Sequence, residues 1–417
     1  MSDNHAEFSP ESLMMSFGHE PSLVRNSIKN PIFQTSTFEF ATAEEGKAYF
    51  EKVYGGAGAD ESSKSLIYTR LNHPNLVTAE KRLSLSDEAE ESAFFESGMA
   101  AITTSLLEIC KAGDLVLMSF PIYGGTDAFI KNFLPKFDVQ SLAFSPDMTE
   151  EEIVSLIETH PRKNRLACIY VETPANPTNT LIDIEMTVRI AARFSNQDKK
   201  TIVAVDNTYM GPLWQKPINH GADLIMYSAT KYIGGHSDLI AGAISGSSAL
   251  VSRIKKVRSG LGCMASPWTS WLISRSLETI SLRMEKQASN AAKLADFLRD
   301  HPKVAKVYYV GHITEGHKQY ELAKRQMTSG GAMLAFDVVG GEAEAFRFLN
   351  AVKLAKLAVS LGSTETLTSH PFTMSSSNMS LADREAVGIT PSMVRISTGI
   401  ENPDDLLKDF AQAFEKV

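Results

Sequence analysis

The stretch Asp223-Leu-Ile-Met-Tyr-Ser-Ala-Thr-Lys-Tyr-Ile-Gly-Gly-His-Ser237 decides how this chain is read. Its apolar run, Leu224 to Tyr227, has the length and composition of a buried strand. The run delivers Ser228-Ala-Thr230-Lys231, and a Gly-Gly pair follows two residues later. A lysine at a strand end, beside small hydroxyl residues, suits covalent attachment to an aldehyde cofactor whose phosphate the hydroxyls hold. That chemistry depends on partial desolvation, because an amine removed from water gives up its proton more readily. Standing alone, the same residues also read as a surface lysine closing a strand.

Outward from this stretch the chain alternates. Leu115-Val-Leu-Met118, Leu166-Ala-Cys-Ile-Tyr-Val171 and Ile202-Val-Ala-Val205 are near-continuous apolar runs like Leu224–Tyr227. Such runs mark parallel strands covered on both faces. Helical periodicity appears at 99–111, 150–159 and 185–194. The fold class expected is α/β, a doubly wound, mostly parallel sheet with ligands at the C-terminal strand ends. After Gly260-Leu-Gly262 the texture changes. Residues 270–300 contain no Gly or Pro and read as one long helix. Beyond it, strands at 304–310, 332–339 and 393–397 mix with helices at 342–350 and 404–414, an α+β pattern. The domains expected are an arm over 1–66, an α/β domain over 67–270 and a smaller α+β domain over 271–417. Gly55-Gly-Ala-Gly-Ala-Asp-Glu-Ser-Ser63 reads as a polar insertion.

Composition narrows the function classes. The 417 residues carry a net charge of −8 and no basic run, which argues against nucleic acid and anionic membranes as partners. No apolar run reaches spanning length, and residues 1–11 lack a signal pattern, so a cytoplasmic location is expected. The three cysteines lie far apart without a CxxC or Cys/His cluster. Neither a disulfide framework nor a metal site is indicated, and buried free thiols are expected. The G-x-x-x-x-G-K-[ST], H-E-x-x-H and G-x-S-x-G motifs are absent.

Six further features carry candidate chemistry. Asp206 follows Ile202–Val205, so its carboxylate emerges at the sheet edge, where it could keep a pyridine nitrogen protonated or could cap a helix. Ser97-Gly98-Met99 opens a helix, offering backbone N–H groups to a phosphate or simply an N-cap. Tyr123, after the strand at 115–118, could stack on a cofactor ring or pack at a rim. Asn176 stands before Pro177, where turn chemistry is the ordinary reading. Tyr68 and Arg70 alternate on one face of an extended segment, and Arg70 suits a phosphate or an ordinary salt bridge. Arg395, in Met393-Val-Arg-Ile-Ser397, interrupts an apolar run and needs an anionic partner if buried.

The string around Lys231, together with these motifs, closely resembles the Cys/Met-metabolism (transsulfuration) family of pyridoxal 5'-phosphate (PLP) enzymes, from about Pro31 to the C-terminus. The resemblance implies PLP fold type I, the aspartate-aminotransferase-like architecture. It implies PLP on Lys231 and Asp206 at the pyridine nitrogen. Gly98, Met99, Ser228 and Thr230 would face the phosphate. Tyr123 would stack on the ring and protonate a leaving sulfur, and Asn176 would lie near the 3-oxygen. Arg395 and Ser360 would hold the substrate carboxylate. Tyr68 and Arg70 would reach a neighbouring subunit's site, which implies self-association, as a homotetramer, with shared sites. The expected activity is a carbon–sulfur lyase acting on a small sulfur-containing amino acid, of the cystathionine β/γ-lyase or methionine γ-lyase type. A γ-replacement enzyme would share every cofactor residue, and a non-catalytic phosphate-ligand-binding protein is a remote alternative. Val359 stands where cystathionine γ-synthases and γ-lyases typically carry glutamate, and Ala358–Leu367 looks most like methionine γ-lyase. Gly125 departs from that pattern, since a cysteine would follow Tyr-Gly.

Overall fold

The computed structural model describes residues 8–54, 66–197, 199–377 and 379–417; the polar stretch 55–63 lies outside them. Seven strands form the larger sheet: β1 (Glu91–Phe95), β2 (Leu115–Ser119), β3 (Gln140–Phe144), β4 (Leu166–Glu172), β5 (Ile202–Asp206), β6 (Leu224–Tyr227) and β7 (Gly242–Gly246). Their order is β1-β7-β6-β5-β4-β2-β3. Only β7 runs against its neighbours; the other pairings are parallel. Side-chain alternation sends Val116, Met118, Cys168, Tyr170 and Met226 to one face, against Ile102 and Leu106 of helix Gly98–Ile109. Leu117, Ile169, Val171, Val203 and Val205 face the other way, onto helices Glu150–Glu158 and Ile184–Phe194. Both faces are therefore covered, as the continuous apolar runs require.

The smaller sheet comprises β8 (Val304–Tyr308), β9 (Met333–Val338), β10 (Lys356–Leu357), β11 (Leu367–Ser369) and β12 (Met393–Ser397). Its order is β10-β11-β12-β9-β8, antiparallel except between β10 and β11. The α/β expectation and the mixed C-terminal pattern hold.

Four expectations change. Residues 270–300 form two helices, Pro267–Leu277 and Ile280–Arg299, rather than one. The Ser276 carbonyl accepts both the Thr279 N–H at 3.2 Å and the Arg283 Nη2 at 2.8 Å. That tight turn ends the first helix. Strands β1, β3 and β7 were not legible in the sequence. Arg70 sits in a turn rather than an extended segment, because the Leu71 and Asn72 N–H groups both donate to the Tyr68 carbonyl. Of the three free cysteines only Cys168 is fully buried; Cys110 and Cys263 are half-buried. Burial pushes the Cys110 thiol up to about 12, which leaves it unreactive near neutrality.

Candidate active site

Three parallel strands end side by side, and each hands a polar group to the same edge. Asp206, the last residue of β5, is buried and pairs in register with Glu172, the last residue of β4. Its carboxylate accepts the Tyr170 hydroxyl at 3.1 Å and the Thr208 N–H at 3.0 Å. Asp206 thus makes the local turn contact that the capping reading allowed, while the Tyr170 hydroxyl engages its other oxygen. Burial pushes both carboxyls upward, and Glu172, with the Asp206 charge beside it, reaches about 8. No ion pair joins either carboxylate to a Lys or Arg among the described residues. A cationic group would be stabilised strongly beside them.

β6 ends at Tyr227, and the chain turns through Ser228 to Lys231. The Ser228 N–H donates to Thr208 Oγ1 at 2.9 Å, which locks this turn to the end of β5. Thr230 is engaged with Ala241: its hydroxyl donates to that carbonyl at 3.1 Å and accepts that N–H at 3.0 Å. The N-terminus of helix Gly98–Ile109, capped by Ser97, lies against the same turn. A Cβ on Gly98 would lie 3.0 Å from the Ser228 Cα, and one on Gly242 only 2.1 Å from the Ser97 carbonyl oxygen. Glycine at these positions lets three backbones close into a cradle at a helix N-terminus.

Lys231 points from that cradle toward the smaller sheet. Its Nζ donates to Ser360 Oγ at 2.7 Å. Burial, helped by the nearby Arg395 charge, lowers the amine to about 8. Arg395, buried on β12, donates through Nη2 to the Ser360 carbonyl at 2.9 Å and through Nη1 to Asn176 Oδ1 at 3.3 Å. Its Nε is buried without a partner. The Tyr209 hydroxyl donates to the same Asn176 oxygen at 2.5 Å. Ser360 adopts φ of +98°, an unusual conformation for a non-glycine residue that turns its hydroxyl and carbonyl to two partners.

The remaining predicted residues stand at the rim. Tyr123 is 52% exposed, with its backbone N–H fixed by Glu172 Oε2 at 2.6 Å. A Cβ at Gly125 would meet the Tyr123 ring at 2.7 Å and the Met99 sulfur at 3.0 Å, so a cysteine there would shift both. Val359, beside Ser360, is 61% exposed. Tyr68 and Arg70 do not join the Lys231 group: Arg70 donates to the Ser259 carbonyl at 2.7 Å and lies 5.6 Å over the Tyr68 ring. Glu172, Tyr170, Thr208 and Tyr209 escaped the sequence reading. Glu172 carries the same signal as Asp206, an acid closing an apolar run.

Comparison with known proteins finds relatives over nearly the whole chain. An L-methionine gamma-lyase from Fusobacterium nucleatum subsp. nucleatum is 39% identical, with 93% of each chain covered. A crystal structure of cystathionine gamma-lyase from Lactobacillus plantarum superposes with a TM-score of 0.85 at 28% identity, covering 98% of this chain and 99% of that one. A cystathionine gamma synthase from Xanthomonas oryzae pv. oryzae gives 0.86 at 26% identity, covering 98% of each. Residues 11–415 match the family described as Cys/Met metabolism PLP-dependent enzyme, and the chain belongs to that family.

Proposed function

We propose that this enzyme is a carbon–sulfur lyase that takes a small sulfur-containing amino acid and releases a thiol, ammonia and a 2-keto acid. The observation that carries this reading is the run Lys231–Ser360–Arg395–Asn176, an amine and a guanidinium joined through one serine, with an asparagine holding the guanidinium from its other side. The residues present fit pyridoxal phosphate. Lys231 offers an amine lowered to about 8, Asp206 a buried anion without an ion-pair partner among the described residues, and the Gly98 cradle free N–H groups at a helix N-terminus. When bound, the cofactor supplies an aldehyde for bonding to amines and a ring that accepts electrons.

The chain's own groups do the rest. Lys231 carries the cofactor and, once its amine is free, removes the proton from the substrate Cα as a general base. A lowered pKa leaves a larger share of that amine unprotonated near neutrality than an ordinary lysine would have. Arg395 receives the α-carboxylate, and its buried, unpaired Nε is the donor held for it. Ser360 holds the Lys231 amine and steers it between partners. Asp206 would keep the ring nitrogen protonated, and Gly98, Met99, Ser228 and Thr230 would hold the phosphate. Tyr123 covers the ring and donates its phenolic proton to the departing sulfur. Tyr68 and Arg70 would complete the phosphate grip in a second copy of the chain, so the working form would be a homo-oligomer, and the family resemblance implies a homotetramer. The arm over 1–66, the domain over 67–270 and the domain over 271–417 accompany this reading, as does a cytoplasmic location. Among the described residues no helix is long and apolar enough to cross a membrane.

Likeness to a cystathionine gamma synthase favours a second reading, γ-replacement, in which a thiol acceptor raises amino-acid product and suppresses keto acid. The test has two arms. Borohydride reduction followed by peptide mapping is expected to label Lys231; a label on another lysine overturns the assignment. The acid released from methionine, cystathionine and cysteine in turn is then identified. 2-Oxobutanoate from methionine is the expected result, and an absence of keto acid from all three overturns the lyase reading.

A further inference from the structure

Glu172 is the one buried carboxylate at the site to which the reading above gives no task. It closes β4 beside Asp206 and is only 5% exposed. Two desolvated acids at adjacent strand ends are costly to keep charged together. What Glu172 holds in return is specific. Oε2 accepts the Tyr123 N–H at 2.6 Å, and Oε1 accepts the Asn176 N–H at 3.0 Å. Its own N–H donates to Ser119 Oγ at 3.1 Å, at the end of β2. One side chain therefore spans the loops that leave β2 and β4, and each loop carries a site residue. Beyond the second loop, Asn176 Oδ1 receives Arg395 and Tyr209.

We propose that Glu172 is a positioning residue whose two carboxylate oxygens set the Tyr123 loop and the Asn176 loop in mutual register. Tyr123 leaves most of its side chain outside the core, so its backbone amide is its main anchor. The same carboxylate fixes Asn176, which shares Arg395 with Ser360. Through these two amides, Glu172 relates the group that meets the leaving sulfur to the group that meets the carboxylate; that consequence rests on the roles proposed above, whereas the loop register does not. Only a carboxylate suits the position. An amide keeps the shape but offers one oxygen and turns an NH2 against the second N–H. Aspartate keeps both oxygens but is one methylene shorter, too short for both loops.

The test compares Glu172→Gln with the unaltered holoenzyme by amide hydrogen exchange, read on peptides that contain Tyr123 and Asn176. Exchange is expected to quicken at least tenfold in both peptides and to stay unchanged in β4. Turnover with methionine is expected to fall about tenfold in kcat, with the absorbance of the bound cofactor retained. The same substitution in a Tyr123→Phe background is expected to lower kcat by a smaller factor than it does alone, because only the arm through Asn176 is then left to act. Unchanged exchange with kcat within twofold of the parent would mean that Glu172 only fills space, and the proposal fails. If Glu172→Gln does not fold, Glu172→Asp is measured instead: quickened exchange in one loop alone supports the tether, and equal protection in both overturns it. An enzyme that proves not to be a lyase leaves the exchange arms intact, so the two failures are distinguishable.

Discussion

At the residue scale the decisive quantity is the cost of burying Lys231. Its amine is lowered from its ordinary range to about 8 because burial penalises the charged form and Arg395 adds repulsion. In the cofactor-free protein that penalty opposes folding. The folded state binds fewer protons than the unfolded one between about 8 and the ordinary lysine value, so stability rises with pH across that window and the penalty is full below it. Lys231→Met is therefore expected to stabilise the cofactor-free protein at pH 7 by on the order of 2 kcal/mol. Denaturant titrations at pH 7 and pH 10.5 measure it; a gain no larger at pH 7 than at 10.5 contradicts the assignment. Val359 belongs to the same scale. Exposed beside Ser360, it offers an apolar wall to a thioether and no partner to the distal ammonium of cystathionine. Val359→Glu is expected to raise kcat/KM for cystathionine relative to methionine by roughly tenfold, as one charge-assisted contact allows. An unchanged ratio at normal cofactor content would place Val359 outside the substrate's reach.

At the scale of elements, the larger-sheet strands that the sequence revealed are buried on both faces. β6 is apolar throughout, and β2, β4 and β5 are apolar up to their last residue, so all four could be read without knowing their neighbours. β3 is an edge strand with half its residues toward solvent, and β7, Gly-Ala-Ile-Ser-Gly, has the composition of a turn. Glycine stands in β7 because the strand runs against the Ser97–Gly98 turn, a contact between segments far apart in sequence. Gly242→Ala puts its Cβ against a backbone oxygen that has nowhere to go. It is expected to lower stability by about 2 kcal/mol or more and to weaken cofactor binding with it. Gly260→Ala, in helix Ser248–Leu261 with nothing within 4 Å of the added atom, is expected to stabilise by about 0.5–1 kcal/mol. Thermal melts and cofactor titrations of the pair give the contrast, and equal effects at the two sites would refute the packing account.

At the scale of the molecule, the site is assembled from distant pieces. Arg395 arrives from the smaller sheet, and Asn176, Asp206 and Lys231 come from the larger one. Tyr68 and Arg70 stay apart from them within one chain, and Tyr68 is 42% exposed. If a second copy uses this pair, inactive Arg70→Ala and inactive Lys231→Ala subunits are expected to regain part of the parent activity when mixed, through hybrid sites that carry neither lesion. Activity after verified subunit exchange is the measurement; none recovered would mean that each chain closes its own site.

The sequence by itself determined what depends on local chemistry. Apolar runs marked the parallel strands, the Ser-Ala-Thr-Lys string marked the candidate lysine, and the run Ile202–Val205 marked the strand end that carries Asp206, because each is written in consecutive residues. Only the tertiary structure decided what depends on distance between segments. Ser360 meets Lys231 across 129 positions, Arg395 meets Asn176 across 219, and Glu172 reaches Tyr123 across 49. No pattern in the intervening residues encodes such a meeting, since strand order and register fix it only after the whole chain has packed.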